Sequence, residues 1–215
     1  MGKAFATNDH SEEASEVSSA TAIQRKLIKG IGWAVALLVA LPWAALAVFG
    51  RFGGGFAFCG QALALVPGVP GSYLRVAYYA MTLRSCSFES HIGIGSFFAD
   101  SQASVGHRVY IGPLCVLGRA SIGDRTQIAS GVQILSGRHQ HRRTPEGRLE
   151  GAEGGIFEDI PIGADCWIGA SAIVMAEIGE GTTIGAGAVV TRPIPPRSVV
   201  VGNPAKVIKS TIDEE

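Results

Sequence analysis

The stretch IGADCWIGASAIVMAEIGEGTTIGAGAVVT, residues 162–191, sets an aliphatic residue before a small one again and again at nearly constant phase. Ile162, Ile168, Val174, Ile178, Ile184 and Val190 carry the beat, and glycine follows four of these six. Upstream the same beat runs through Ile92, Phe98, Val105, Ile111, Leu117, Ile122, Ile128 and Ile134, so glycine follows nine of the fourteen positions in all. A step of about six matches neither the 3.6 of a helix nor the 2 of an ordinary strand. It is the step of a solenoid in which each hexad forms one flat face, three faces close a triangular coil, and the aliphatics stack into ladders along the axis. Glycine suits the corners, where the backbone turns sharply or needs a positive φ. Fourteen hexads make a little under five coils. A generic glycine-rich β-protein has no reason to couple aliphatic and glycine at fixed phase. Between Val174 and Ile178 the step shortens to four, which predicts a tighter corner there.

Working outward, the beat stops at SGRHQHRRTPEGRLEGAEGGIFEDI, residues 136–160, which holds two of the five histidines. A solenoid that extrudes one long loop commonly does so for function. A neutral imidazole, with an ordinary pKa of about 6.5, suits removal of a proton from a hydroxyl nucleophile at neutral pH. His139 and His141 are the two candidates for that role, and the one that is not the base could orient it, bind substrate or be solvated. His91 and His107 fall in or beside hexads and read as ordinary surface histidines.

The rest of the composition excludes more than it suggests. Of 215 residues, 18 are Lys or Arg and 18 are Asp or Glu, a formal net charge of zero, which supplies no electrostatic footprint for nucleic acid. The four cysteines (Cys59, Cys86, Cys115 and Cys166) have no CxxC spacing and read as reduced thiols rather than a disulfide framework. None sits in a Cys/His motif, so covalent catalysis by a thiol is not expected. A zinc site needs three or four converging ligands, and no further histidine follows His139 and His141 at a coil's distance; no metal is expected.

Upstream of the repeat, residues 1–26 are polar and read as a disordered tail. Residues 31–49 carry no charge, which is long enough for a bilayer-spanning helix. A second apolar stretch covers 54–69, so 27–69 reads either as one membrane helix or as a helical hairpin broken at Pro42 or turned at the glycines of 50–55. Arg25, Lys26 and Lys29 before it, against Arg51 after it, place the N-terminus in the cytoplasm. Residues 70–90 read as an interfacial helix or linker, with Arg75 and Arg84 facing headgroups. Residues 91–215 are the repeat domain.

PIGADCWIG (161–169), IGAGAVVTRPIPP (184–196) and GNPAKVIK (202–209) resemble the hexapeptide-repeat acyltransferases, notably the galactoside, maltose and xenobiotic acetyltransferase branch. The resemblance covers roughly residues 86–209. It implies a left-handed parallel β-helix, a homotrimer, and acetyl-CoA held in the groove between two prisms. IASGVQILSGRH, 128–139, aligns without a gap to the stretch ending in that family's catalytic histidine, here His139. The same resemblance implies an oxyanion donor in the backbone of Ala170 and groove-lining roles for Ala186 and Thr191. It implies phosphate contacts from Arg192, Lys206 and Lys209, and a ligand or packing role for Trp167. Gly112 stands where the galactoside branch has an asparagine that contacts sugar, so sugar specificity does not transfer. Those enzymes lack the apolar N-terminal segment. It directs attention to glycan or lipid-linked sugar acceptors at the inner, cytoplasmic membrane. Because acetyl-CoA is cytosolic, the catalytic domain is expected on the cytoplasmic side, through a hairpin. The expected activity is O-acetylation of a sugar hydroxyl in surface-glycan or exopolysaccharide synthesis. The alternatives are a soluble sugar or xenobiotic acetyltransferase tethered to the membrane, and a non-catalytic scaffold of a polysaccharide-synthesis complex.

Overall fold

The structure, a computed structural model, describes residues 9–49, 54–137, 144–149 and 156–210. From residue 85 the chain winds into a parallel β-solenoid. The first coil is β1 (Ser85–Cys86), β2 (His91–Ile92) and β3 (Phe97–Phe98). The second is β4 (Ser104–Val105), β5 (Tyr110–Ile111) and β6 (Val116–Leu117), and the third β7 (Ala120–Ile122), β8 (Gln127–Ile128) and β9 (Gln133–Ile134). After the interruption come β10 (Ile160–Ile162), β11 (Trp167–Ile168) and β12 (Ile173–Val174), then β13 (Thr183–Ile184) and β14 (Val189–Val190). β15 (Ser198–Val201) begins a last partial coil, and β16 (Lys206–Ser210) folds back antiparallel on it.

Every coil-to-coil pairing is parallel and in register, giving three faces. Face one stacks β1, β4, β7 and β10; face two stacks β2, β5, β8, β11, β13 and β15; face three stacks β3, β6, β9, β12 and β14. One side chain per hexad points inward, so all fourteen positions of the repeat are buried, none more than 3% exposed. The corners need glycine for space as much as for dihedrals: a Cβ on Gly169 would sit 2.5 Å from the backbone N of Ala186 in the next coil. The short step from Val174 to Ile178 has the expected effect. Ile178 joins face one through single bridges to Ile162 and Ile194 rather than through a strand.

The first coil has no coil before it, so its backbone groups would be orphaned at the open end. Two helices supply the partners. α2 (Gly55–Ala64) and α3 (Gly68–Thr82) lie over that end. Ile92 N–H donates to Ser72 Oγ (3.2 Å), Phe98 N–H donates to the Tyr79 hydroxyl (3.0 Å), and Gly95 N–H donates to Ala64 O (2.8 Å). Arg75, 1% exposed, donates to Ile92 O at 3.0 Å, Leu63 O at 3.1 Å and Val66 O at 2.7 Å, tying both helices to the coil. The expectation for residues 70–90 is corrected here: Arg75 serves carbonyls of the cap and of the first coil rather than headgroups. Arg84 pairs with Asp159 at 3.2 Å.

α1 (Asp9–Phe49) is one helix that runs through Pro42 without ending. It starts at Asp9, well inside the stretch read as a tail, and Ala22–Ala47 is long and apolar enough to cross a membrane. α2, at ten residues, is about 15 Å long at 1.5 Å per residue and packs on the first coil. A hairpin of two spanning arms is therefore not formed: among the described residues one helix, not two, has the length.

Candidate functional site

The interruption leaves the solenoid after β9, at the corner between faces three and one, and returns at β10. Its neck is closed by a hydrogen bond from Glu158 N–H to Ser136 O (3.0 Å) and another from Ile160 N–H to Arg119 O (2.9 Å). Ser136 is buried, and its Oγ accepts from Arg119 N–H at 2.8 Å. Arg119 reaches both ways. Its guanidinium meets Asp100 of the first coil at 2.9 Å and donates to Phe157 O, in the segment that leads back into β10, at 3.2 Å. Asp159 accepts from Ser121 Oγ at 2.8 Å and from Arg84 at 3.2 Å. Sequence reasoning missed these neck residues. The signal was present in charges at hexad corners beside the interruption, but their pairing needs the coil-to-coil register.

His139 and His141, the candidate base and its neighbour, lie outside the described residues. Gly137, whose φ is +90°, is the last described residue before them, so the neck fixes where the histidine segment begins.

The donor-side residues fall on other parts of the prism. Trp167 stands outward on face two between Gln127 and Thr183 and is 58% exposed. Ala170 and Ala186 stack at the corner between faces two and three, where Gly187 N–H donates to Ala170 O at 2.8 Å. Among the described residues no acceptor meets the N–H of Ala170, which leaves it available to a ligand. Thr191 and Arg192 follow β14 at the corner between faces three and one, on the same edge as the loop neck. Lys206 and Lys209 lie on β16 opposite Val201 and Val199, at the end of face two. The structure thus brings Ala170 together with Ala186, sets Trp167 on the adjoining face, and separates both from the neck by the width of face three. Gly112 is buried, and a Cβ there would meet the backbone of Ala129 and Ser130 at 2.8 Å; it stacks coils and offers a substrate no side chain.

The thiols are poor nucleophiles for physical reasons. Burial pushes Cys86 up to about 12 and raises Cys115 and Cys166 above the ordinary thiol range. Cys115 and Cys166 lie inside the coils, with their S–H groups directed at backbone carbonyls. His91 is half-buried, stacks flat on Tyr110 at 5.0 Å and meets Ser72 Oγ at 3.0 Å, so it belongs to the cap. Among the described residues no three His, Cys, Asp or Glu side chains group as a metal site.

Comparison with known proteins agrees with this architecture. The family described as the hexapeptide repeat of succinyl-transferase matches residues 160–192, the two coils after the interruption. A chloramphenicol acetyltransferase of Agrobacterium fabrum is 37% identical over 115 residues, 45% of this chain and 54% of that protein. A putative acetyltransferase of Schizosaccharomyces pombe is 40% identical over 96 residues, 44% of each chain. The chain thus spans about half the length of these relatives. A maltose O-acetyltransferase from Clostridium difficile superposes with a TM-score of 0.60 at 26% identity, covering 73% of this chain and 85% of that one. The chain carries hexapeptide repeats, and these named relatives and this structural neighbour are acetyltransferases.

Proposed function

We propose that this protein is a membrane-attached O-acetyltransferase that moves an acetyl group from acetyl-CoA to a sugar hydroxyl of a glycan or lipid-linked acceptor, in surface-glycan synthesis on the cytoplasmic side of the membrane. The observation that carries the reading is the division of labour on the prism. The neck of the interruption that carries His139 in sequence lies at one edge of face three, and the backbone N–H of Ala170 lies at the opposite edge. The active assembly is taken as a homotrimer in which the loop segment of one copy completes the wall of the next, with one site per interface.

The chemistry then needs few groups. His139 takes the proton of the acceptor hydroxyl as its oxygen attacks the thioester carbonyl. The C–O bond forms, the tetrahedral oxyanion is held by the Ala170 N–H, and collapse breaks the C–S bond. The CoA thiolate leaves and is protonated from the imidazolium. No protein nucleophile takes part, in keeping with the buried thiols. Trp167, Ala186 and Thr191 line the path of the pantetheine arm, and Arg192, Lys206 and Lys209 meet the phosphates.

Acetyl-CoA turnover by the full-length protein, followed as free thiol release with glycan acceptors, tests the reading. His139→Ala should lower kcat by about 10²–10⁴ while leaving acetyl-CoA binding intact. Equal rates in the variant would remove His139 as base. Acetyl-CoA that neither binds nor turns over with any acceptor would leave a scaffold. Mass spectrometry of surface glycans with and without the protein identifies the acceptor.

A further inference from the structure

We propose that α1 lies in the plane of an anionic membrane surface, with its outward aliphatic face sunk into one leaflet, rather than crossing the bilayer. The proposal rests on the membrane attachment in the reading above and is independent of its chemistry.

Length alone permits crossing, because Ala22–Ala47 would extend about 39 Å at 1.5 Å per residue. Packing opposes it. Ala36, Ala40, Ala44 and Ala47 are 0–6% exposed, and the Trp33 ring lies 4.3 Å from Tyr73 and 5.1 Å from Phe88. The helix is docked along its apolar length. Near its start, Arg25, Ile28 and Lys29 line a groove of about 660 Å³ with Val69 and Pro70 of α3. Near its end, Ala47 lines a cavity of about 510 Å³ with Met81 and Leu83. α3 is in turn fixed to the first coil by Ser72, Arg75 and Tyr79, all buried. To span, α1 would have to tear off this bed and expose the alanine stripe, or drag α3 and the first coil into lipid.

The opposite side of α1 is exposed among the described residues, with Ile28, Val35 and Val39 at its margin bordering the groove against Val69, Pro70 and Tyr73 of α3. Ile23, Leu27, Ile28, Ile31, Val35, Leu38, Val39, Leu41 and Leu46 are 46–71% exposed. At about 100° per residue they fill one arc of roughly 160°, and the docked alanines and Trp33 fill the opposite arc. No Asp or Glu occurs between Ala22 and Ala47. Arg25, Lys26 and Lys29 fall on the docked arc and are exposed. In an in-plane helix they sit above the sunken face, at the level of lipid phosphates, where basic residues are drawn to an anionic leaflet. The protein cap thus takes the place of the polar face of an ordinary interfacial helix.

The test uses the full-length protein with an epitope tag at each end. Reconstituted into phosphatidylcholine–phosphatidylglycerol vesicles, both tags should be cleaved by protease from the same side. Ile31→Glu and Leu38→Glu, both on the outward arc and outside the groove, should each weaken vesicle association at least about tenfold with an unchanged melting temperature. Lys26→Glu should weaken it on anionic vesicles and not on phosphatidylcholine alone. Tags on opposite sides of the bilayer, or outward-arc variants that bind as wild type, would overturn the proposal. So would a protein that ignores vesicles and self-associates through this face in buffer, which would make a second copy the occupant. None of these readouts depends on acyl transfer, so failure of the enzymatic reading and failure of this one are separable.

Discussion

Replacing Arg75 by Met should loosen the cap that closes the open end of the solenoid. Met matches the arm in length but donates nothing. Ile92 O and Val66 O, which accept from Arg75 at 3.0 and 2.7 Å, lose that donor, whereas Leu63 O keeps a bond from Val66 N–H at 3.3 Å. Two orphaned carbonyls in a buried site cost about 1–3 kcal/mol each. Part of this is offset, because the substitution also ends the burial of a guanidinium, whose desolvation holds Arg75 below its ordinary pKa. The net loss is about 2–4 kcal/mol, a fall in melting temperature of roughly 4–16 °C for a chain of this size. Arg75→Lys keeps a cation and three donors but not the two-sided reach, and should fall between. Thermal and urea unfolding followed by circular dichroism measure the loss. Limited proteolysis at residues 65–70 reports whether the cap opens before the coils. An Arg75→Met protein within about 0.5 kcal/mol of wild type, with no new cleavage there, would refute the assignment of Arg75 as the clasp between cap and coil.

Ile128→Ala, in the middle of the face-two ladder between Ile111 and Ile168, should cost about 2–5 kcal/mol by urea unfolding, whereas Gln127→Ala on the outer side of the same strand should stay within about 0.5 kcal/mol. Arg119→Ala removes the link between Asp100 and Phe157 that steadies the loop neck; kcat should drop about tenfold while KM for acetyl-CoA holds, and an unchanged kcat would show that the neck does not position the base. His91 is held below its ordinary value by burial, then by the Arg75 charge, so the unfolded chain binds the proton first. Its share of stability is present above pH 6.5 and is lost as pH falls from there through the folded value. The difference in melting temperature between pH 7.5 and pH 5 should therefore shrink in His91→Gln, and an NMR titration of His91 with a midpoint at or above its ordinary value would contradict the assignment.

The repeat was legible because each hexad spends one side chain on the interior: position and burial coincide at all fourteen ladder residues, and a missing pair of residues after Val174 reads directly as a tight corner. The cap was not legible. A helix with arginine at Arg75 looks the same whether its partners are phosphates or the unpaired carbonyls of a first coil, and only the fold shows that Ile92 O faces it. The apolar run of 54–64 likewise reads as a membrane arm until the structure gives it a coil to cover. On the site, the loop's boundaries followed from where the beat stops and resumes, whereas Ala170 and Ala186 were named only through the family resemblance and their stacking came from the coil-to-coil register. The neck was not legible either, because Arg119, Asp100 and Asp159 are brought together across coils at sequence separations that no local pattern records.

The central claim is that loop and wall come from different copies of the chain, and subunit complementation tests it most directly. His139→Ala disables the loop and Ala186→Trp obstructs the wall; each homo-oligomer should be inactive in acetyl-CoA turnover. Co-expressed in equal amounts, they should recover about a quarter of wild-type activity, since one interface in four then pairs an intact loop with an intact wall. Mixed oligomers as inactive as the parents would contradict a site shared between copies.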